Sequence, residues 1–134
     1  MESMNQNATI VFVCEHGAAK SVIAAAFFNK LARESNLGFH AIARGTQPDP
    51  ELSPGAVMGL HRDGLNSVES VPRKLLLADV ATAQRIITFC ELPEEFQQKG
   101  SIEQWEGVPP VSADYEQARA AILERIHELM DTLL

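Results

Sequence analysis

Short runs of β-branched and apolar residues alternate along this chain with longer stretches whose apolar positions recur every three or four residues. Residues 9–13, TIVFV, form the first run and predict a buried strand. In residues 21–35, Ile23, Phe27 and Leu31 are spaced by four, and Ala24 and Phe28 widen the same face, which predicts a helix. Asn36 and Gly38 end it. Residues 39–43 predict a second strand, and the Gly and Pro content of residues 45–54 predicts a loop. Ser53 and Pro54 read as the N-cap and first residue of a helix that Gly64 stops. A helix over 74–83 follows, then a third strand over 85–89 that runs into Cys90, then a short strand near 102–105. The last helix is the clearest, with Ala118, Ile122, Ile126, Met130 and Leu133 on one stripe and Leu129 beside it.

This alternation predicts βαβ units, hence an α/β fold with helices on both faces of a parallel sheet, a three-layer α/β/α arrangement. No repeat or linker interrupts it, so residues 9–134 read as one domain, with the polar residues 1–8 disordered or loosely ordered. Open parallel sheets bind ligands beyond the carboxyl ends of their strands. Cys14 and Cys90 both fall just past such ends.

Composition narrows the function. With 134 residues the chain can bury one core. A net charge of −7 argues against a nucleic-acid partner, which needs an organised basic face, yet leaves room for a small anionic ligand. No apolar run reaches the roughly 20 residues of a membrane span. Two cysteines are too few for a disulfide framework, and the start shows neither a basic nor an apolar leader segment, so the expected setting is cytoplasmic, with free thiols. His40, His61 and His127 show no ligand spacing with one another or with the cysteines, so neither a metal nor another cofactor is expected.

The candidate chemistry lies in VCEHGAAKS, residues 13–21. A strand, then C-x-x-G-x-x-K-S, then a helix puts a thiol beside a helix N-terminus, where amides lack partners and the dipole is positive. Such a turn binds tetrahedral oxyanions. Gly17, Ala18 and Ala19 leave the backbone approachable, and Gly17 can take the positive φ that an anion nest needs. The same field favours a thiolate, Ser21 is placed to donate a hydrogen bond to it, and Lys20 adds positive charge. His16, two residues after the thiol, could when neutral hydrogen-bond a loop group and as a cation help hold an anion. Against this stands the ordinary role of a cysteine at a strand end, a small buried hydrophobe.

VFVCEHGAAKSVIAAAFFNKLA resembles the opening of the low-molecular-weight protein tyrosine phosphatase superfamily, which includes the thioredoxin-coupled arsenate reductases. ARGTQP, SPGAVMGLHRDGLN, DVATAQRIITFC and W…VPP are similar, in order, to later parts of that family, so the resemblance covers nearly the whole chain from Thr9. It implies the phosphotyrosine protein phosphatase I-like fold, with a four-stranded parallel sheet. It also implies that Cys14 is the nucleophile and that the amides of Glu15, His16, Gly17, Ala18, Ala19, Lys20 and Ser21 hold the oxyanion. The implied reaction is hydrolysis of phosphomonoesters, phosphotyrosine among them, through a cysteinyl-phosphate.

Three departures qualify this. The family's loop arginine is Lys20 here, a point charge in place of a planar fork, and Arg44 is the candidate substitute. The family's general acid, an aspartate in an Asp-Pro pair before the last helix, is missing from VPPVSADY, with Asp114 and Glu106 as weak replacements and Asp114 expected in the first turn of a helix capped by Ser112. The family's loop asparagine is Gly17. Slow catalysis is the consequence. Two alternatives remain: an arsenate reductase in which Cys90 attacks Cys14 and thioredoxin or a low-molecular-weight thiol resolves the disulfide, and a non-catalytic oxyanion-binding relative.

Overall fold

In this computed structural model, residues 8–97 and 102–133 are described. The expectation for the first residues therefore lies, but for Ala8, outside what is described. Strands β1 (Ala8–Cys14), β2 (Phe39–Gly45), β3 (Arg85–Thr88) and β4 (Ile102–Gln104) form one parallel sheet in the order β2-β1-β3-β4. Helices α1 (Lys20–Glu34), α2 (Pro54–Arg62), α3 (Leu77–Thr82) and α4 (Tyr115–Leu133) connect and cover it.

The two faces are unequal. Ile10, Phe12, Ala41, Ala43 and Ile87 point to the side covered by α1, α2 and α4. Here α4 buries Ala118, Ile122, Ile126, Leu129 and Met130, while Leu133 is only partly buried. Val11, Val13 and Ile86 point to the other side, covered by Leu75, the short α3 through Val80, and Leu92 and Phe96 around a 3-10 turn at Glu94–Phe96.

Sequence signals explain the ends. Asn36 has φ +57, Asn36 N–H donates to Arg33 O and Leu37 N–H to Ala32 O, so α1 closes in a Schellman motif on Asn36, not on Gly38. Ser53 Oγ accepts from Ala56 N at 3.3 Å, the cap expected for α2. Two expectations shift. The helix expected from residue 74 begins at Leu77, because Lys74 bridges Gly45 and the backbone of residues 73–75 lies along the end of β2. Asp114 is the cap of α4, accepting from Gln117 N at 3.1 Å, so Ser112 is not.

β1 is the pivot of this topology. Its chain leaves toward β2 on one side, while β3 lies on the other, so the order reverses between β1 and β3. That reversal opens a crevice beyond their carboxyl ends.

Candidate active site

Cys14 is the last residue of β1, paired with Gly45 across the sheet. Its side chain is nearly buried, at 8% exposure, and its Sγ lies 3.0 Å from the Oγ of the fully buried Ser21. Between them the chain turns through Glu15–Ala19, with Gly17 at φ +61, and enters α1.

This turn is held from outside. The carbonyls of Cys14, Glu15, His16 and Ala18 accept from the amides of Thr46, Gln47, Asp49 and Ser53 at 3.2, 2.7, 3.0 and 3.0 Å. Four carbonyls facing outward leave the amides on the inner side. Among the described residues, the amides of Glu15, His16, Gly17, Ala18 and Ala19 donate to no protein acceptor, and no side chain caps α1. Unpaired amides at a helix N-terminus are the donors that a tetrahedral anion takes up. The loop over residues 45–54 is therefore a strap that fixes this turn, a role its Gly and Pro content did not disclose.

A cavity of about 410 Å³ opens over this turn. Cys14 lies in its wall with Glu15, His16, Ala18, Ala19 and Lys20, and Cys90 and Phe89 come in from the end of β3. Ser21 lies behind the thiol, and Gly17 packs on Gly45. Lys20 reaches the cavity, and among the described residues its ammonium has neither hydrogen bond nor ion pair. Asp49 of the strap is also in the wall, and its Oδ1 stands 3.1 Å from His16 Nδ1. A second groove, of about 620 Å³, adjoins the first and shares Glu15 and Cys90 with it.

Arg44 does not reach this cavity. In register it is paired with Val13, so its side chain leaves the sheet on the face opposite Cys14. There its Nη1 binds Glu69 at 2.6 and 2.9 Å and its Nε binds Asp79 Oδ2 at 3.2 Å. The expectation that Arg44 replaces the loop guanidinium is corrected, since both carboxylates occupy it. Asp114 and Glu106 are likewise absent from the wall. The Asp114 carboxylate caps α4, and Glu106 contributes its backbone carbonyl to Arg125.

The Cys90 thiol is raised above the ordinary cysteine range. Burial is the largest cause, and the negative charge of an ionised Cys14 adds to it, while hydrogen bonds from Thr88 and Thr46 oppose it. Thr88 holds the turn there, its Oγ1 donating to Cys90 O at 2.7 Å and accepting from Cys90 N at 3.1 Å. Among the described residues, no group of three or more His, Cys, Asp or Glu side chains is arranged to hold a metal ion, and no helix is long and apolar enough to cross a membrane.

The thiol-and-amide turn between β1 and α1 places the chain in a known class. Residues 9–105 match the family model for low molecular weight phosphotyrosine protein phosphatase, and the chain belongs to that family. Its structure is similar to an arsenate reductase from Archaeoglobus fulgidus, at 26% identity and TM-score 0.73 over 90% of this chain and 97% of that one. It is also similar to YfkJ from Bacillus subtilis, at 18% identity and TM-score 0.82 over 93% of each chain. A third likeness is to the low molecular weight protein tyrosine phosphatase of T. tengcongensis, at 19% identity and TM-score 0.79 over 94% and 99%. No curated protein sequence matches significantly.

Proposed function

We propose that this chain is a slow cysteine-dependent phosphatase that hydrolyses phosphomonoesters through a cysteinyl-phosphate on Cys14. The observation that carries this reading is the Cys14 sulfur, 3.0 Å from the buried Ser21 hydroxyl, in the wall of a cavity next to five amides with no acceptor among the described residues. In the ionised form the sulfur accepts from Ser21 and attacks phosphorus. The amides of the turn and the Lys20 ammonium take the charge that develops on the three non-bridging oxygens. Water then attacks the cysteinyl-phosphate and the thiolate departs. Lys20 offers one point charge where a guanidinium grips two oxygens, so the transition state is held less firmly and turnover is slow.

A chromogenic phosphomonoester assay tests this. Turnover by the native chain that disappears in Cys14→Ser supports the reading. Phosphate binding without turnover would instead support a non-catalytic oxyanion binder.

Cys90 favours a second reading. It shares the cavity wall with Cys14, as a thiol that attacks a covalent Cys14 adduct must. An arsenate reductase of this kind forms the Cys14–Cys90 disulfide, releases arsenite, and needs thioredoxin or a small thiol to reduce the disulfide. Arsenate-dependent consumption of that external thiol, lost in Cys90→Ser, supports it. Consumption that persists in Cys90→Ser removes Cys90 from the reaction.

A further inference from the structure

Neither Asp114 nor Glu106 reaches the cavity, so the proton that a leaving oxygen needs has no source before α4. The cavity wall itself offers one. We propose that His16, oriented by Asp49, is the general acid of this site and then the general base; the proposal rests on the phosphatase reading above.

His16 and Asp49 are joined twice. Asp49 N–H donates to His16 O at 3.0 Å, and Asp49 Oδ1 lies 3.1 Å from His16 Nδ1. A carboxylate on Nδ1 fixes the tautomer and the ring orientation, which leaves Nε2 to carry the mobile proton. Nε2 lies 4.0 Å from Glu15 Oε1, too long for a hydrogen bond, so it is not consumed by the protein. Depth supports the assignment. Cys14 is 8% exposed in the cavity wall, whereas the His16 and Asp49 side chains are 59% and 47% exposed. In-line attack puts the leaving oxygen on the far side of phosphorus from sulfur, toward that open end. Imidazole is also the side chain whose ordinary titration falls near neutral pH, so it can give and take a proton there. Asp49 and Glu15 face it as carboxylates, and Lys20, Cys14 and Cys90 share the cavity.

The steps balance. The Cys14 thiolate forms the S–P bond as the P–O bond to the leaving group breaks, and the His16 imidazolium gives its Nε2 proton to the departing oxygen. Neutral His16 then takes a proton from the water that attacks phosphorus. The S–P bond breaks, returning the thiolate, hydrogen phosphate and the imidazolium.

The test compares kcat/KM for phenyl phosphate, whose leaving oxygen is basic and needs the proton, with 4-nitrophenyl phosphate, whose leaving oxygen needs it less. His16→Gln and His16→Asn are expected to lose about 10²-fold or more on phenyl phosphate and under about tenfold on the nitrophenyl ester. The fall of kcat/KM on the alkaline side should vanish in both variants. Asp49→Asn should lose activity in the same selective direction but by a smaller factor than the His16 variants, since it removes only the group that orients the imidazole. Equal losses on both esters, or an unchanged alkaline fall in the His16 variants, overturn the assignment while leaving the phosphatase reading intact. So does a selective loss on phenyl phosphate produced by Asp49→Asn or Glu15→Gln but not by His16→Gln, which makes a carboxylate the acid. A native chain that turns over neither ester overturns the phosphatase reading and this one with it.

Discussion

A Cβ built on Gly17 would sit 2.9 Å from both the Cα and the amide nitrogen of Gly45, and one built on Gly45 would sit 2.7 Å from the amide nitrogen of Gly17. The turn after β1 and the end of β2 thus touch backbone to backbone, and neither position has room for a side chain. Gly17 carries the further demand of φ +61.

Substitution at either glycine should therefore disturb both stability and the oxyanion turn. Gly45→Ala is expected to cost about 1–3 kcal/mol, the usual penalty of overpacking. That corresponds to roughly 4 °C in Tm per kcal/mol for a domain of this size. Phosphate protection in a thermal melt should weaken as well, because the strap from Thr46 to Ser53 begins directly after this residue. A Gly45→Ala chain with native Tm and native phosphate protection would refute the close packing.

Arg44 should behave as a structural residue. Arg44→Met leaves Glu69 and Asp79, each 15% exposed at the side chain, without their shared partner. Stranding partly buried carboxylates is expected to cost about 2–4 kcal/mol, less than for a fully buried pair. The Tm should fall while phosphate affinity of the folded chain stays within about twofold, roughly 0.4 kcal/mol, since Arg44 does not line the cavity. A loss of phosphate affinity with an unchanged Tm would return Arg44 to the site.

The difference between Arg44 and Cys14 shows what the sequence could and could not disclose. Strand and helix alternation was readable because buried strands leave continuous apolar runs and α4 leaves a four-residue stripe, and these placed both cysteines at strand ends. Parity along β2 was readable too, since Arg44 follows Ala43, which is buried on the Cys14 side, and so must point away. Its partners were not readable, because Glu69 and Asp79 are brought to it only by tertiary packing, 25 and 35 residues on. The same holds for His16 and Asp49. Each looks like a loop residue in sequence, and only the backbone tie between the two loops makes them a pair.

Lys20→Arg should strengthen the site. A guanidinium can grip two oxyanion oxygens at once, and one added charge-assisted hydrogen bond is worth about 1.5–3 kcal/mol. Competitive inhibition by vanadate is expected to tighten about tenfold or more, and Lys20→Met should weaken it by a similar factor. No change in either variant would mean that the side chain at position 20 does not touch the anion.

Cys90 should ionise late, and its behaviour should depend on Cys14. Alkylation by iodoacetamide, followed by mass spectrometry across a pH series, should modify Cys90 only on the alkaline side of the ordinary thiol range. In Cys14→Ser that onset should move to lower pH, because the charge of Cys14 contributes to the shift. The linked effect on stability has a definite sign. A thiol raised in the folded state contributes stability that is intact below its unfolded value and is lost as pH climbs through the raised value. An onset identical in the two chains would remove the electrostatic link between the thiols.

The most direct test of the central claim is to trap the covalent intermediate. The native chain is mixed with 4-nitrophenyl phosphate, quenched within a turnover, digested and sequenced by mass spectrometry. One phosphoryl group should be found on the peptide containing Cys14, attached to that sulfur, and none should form in Cys14→Ser. Turnover by the native chain with no phosphoryl group on Cys14, or equal turnover by Cys14→Ser, would contradict the account.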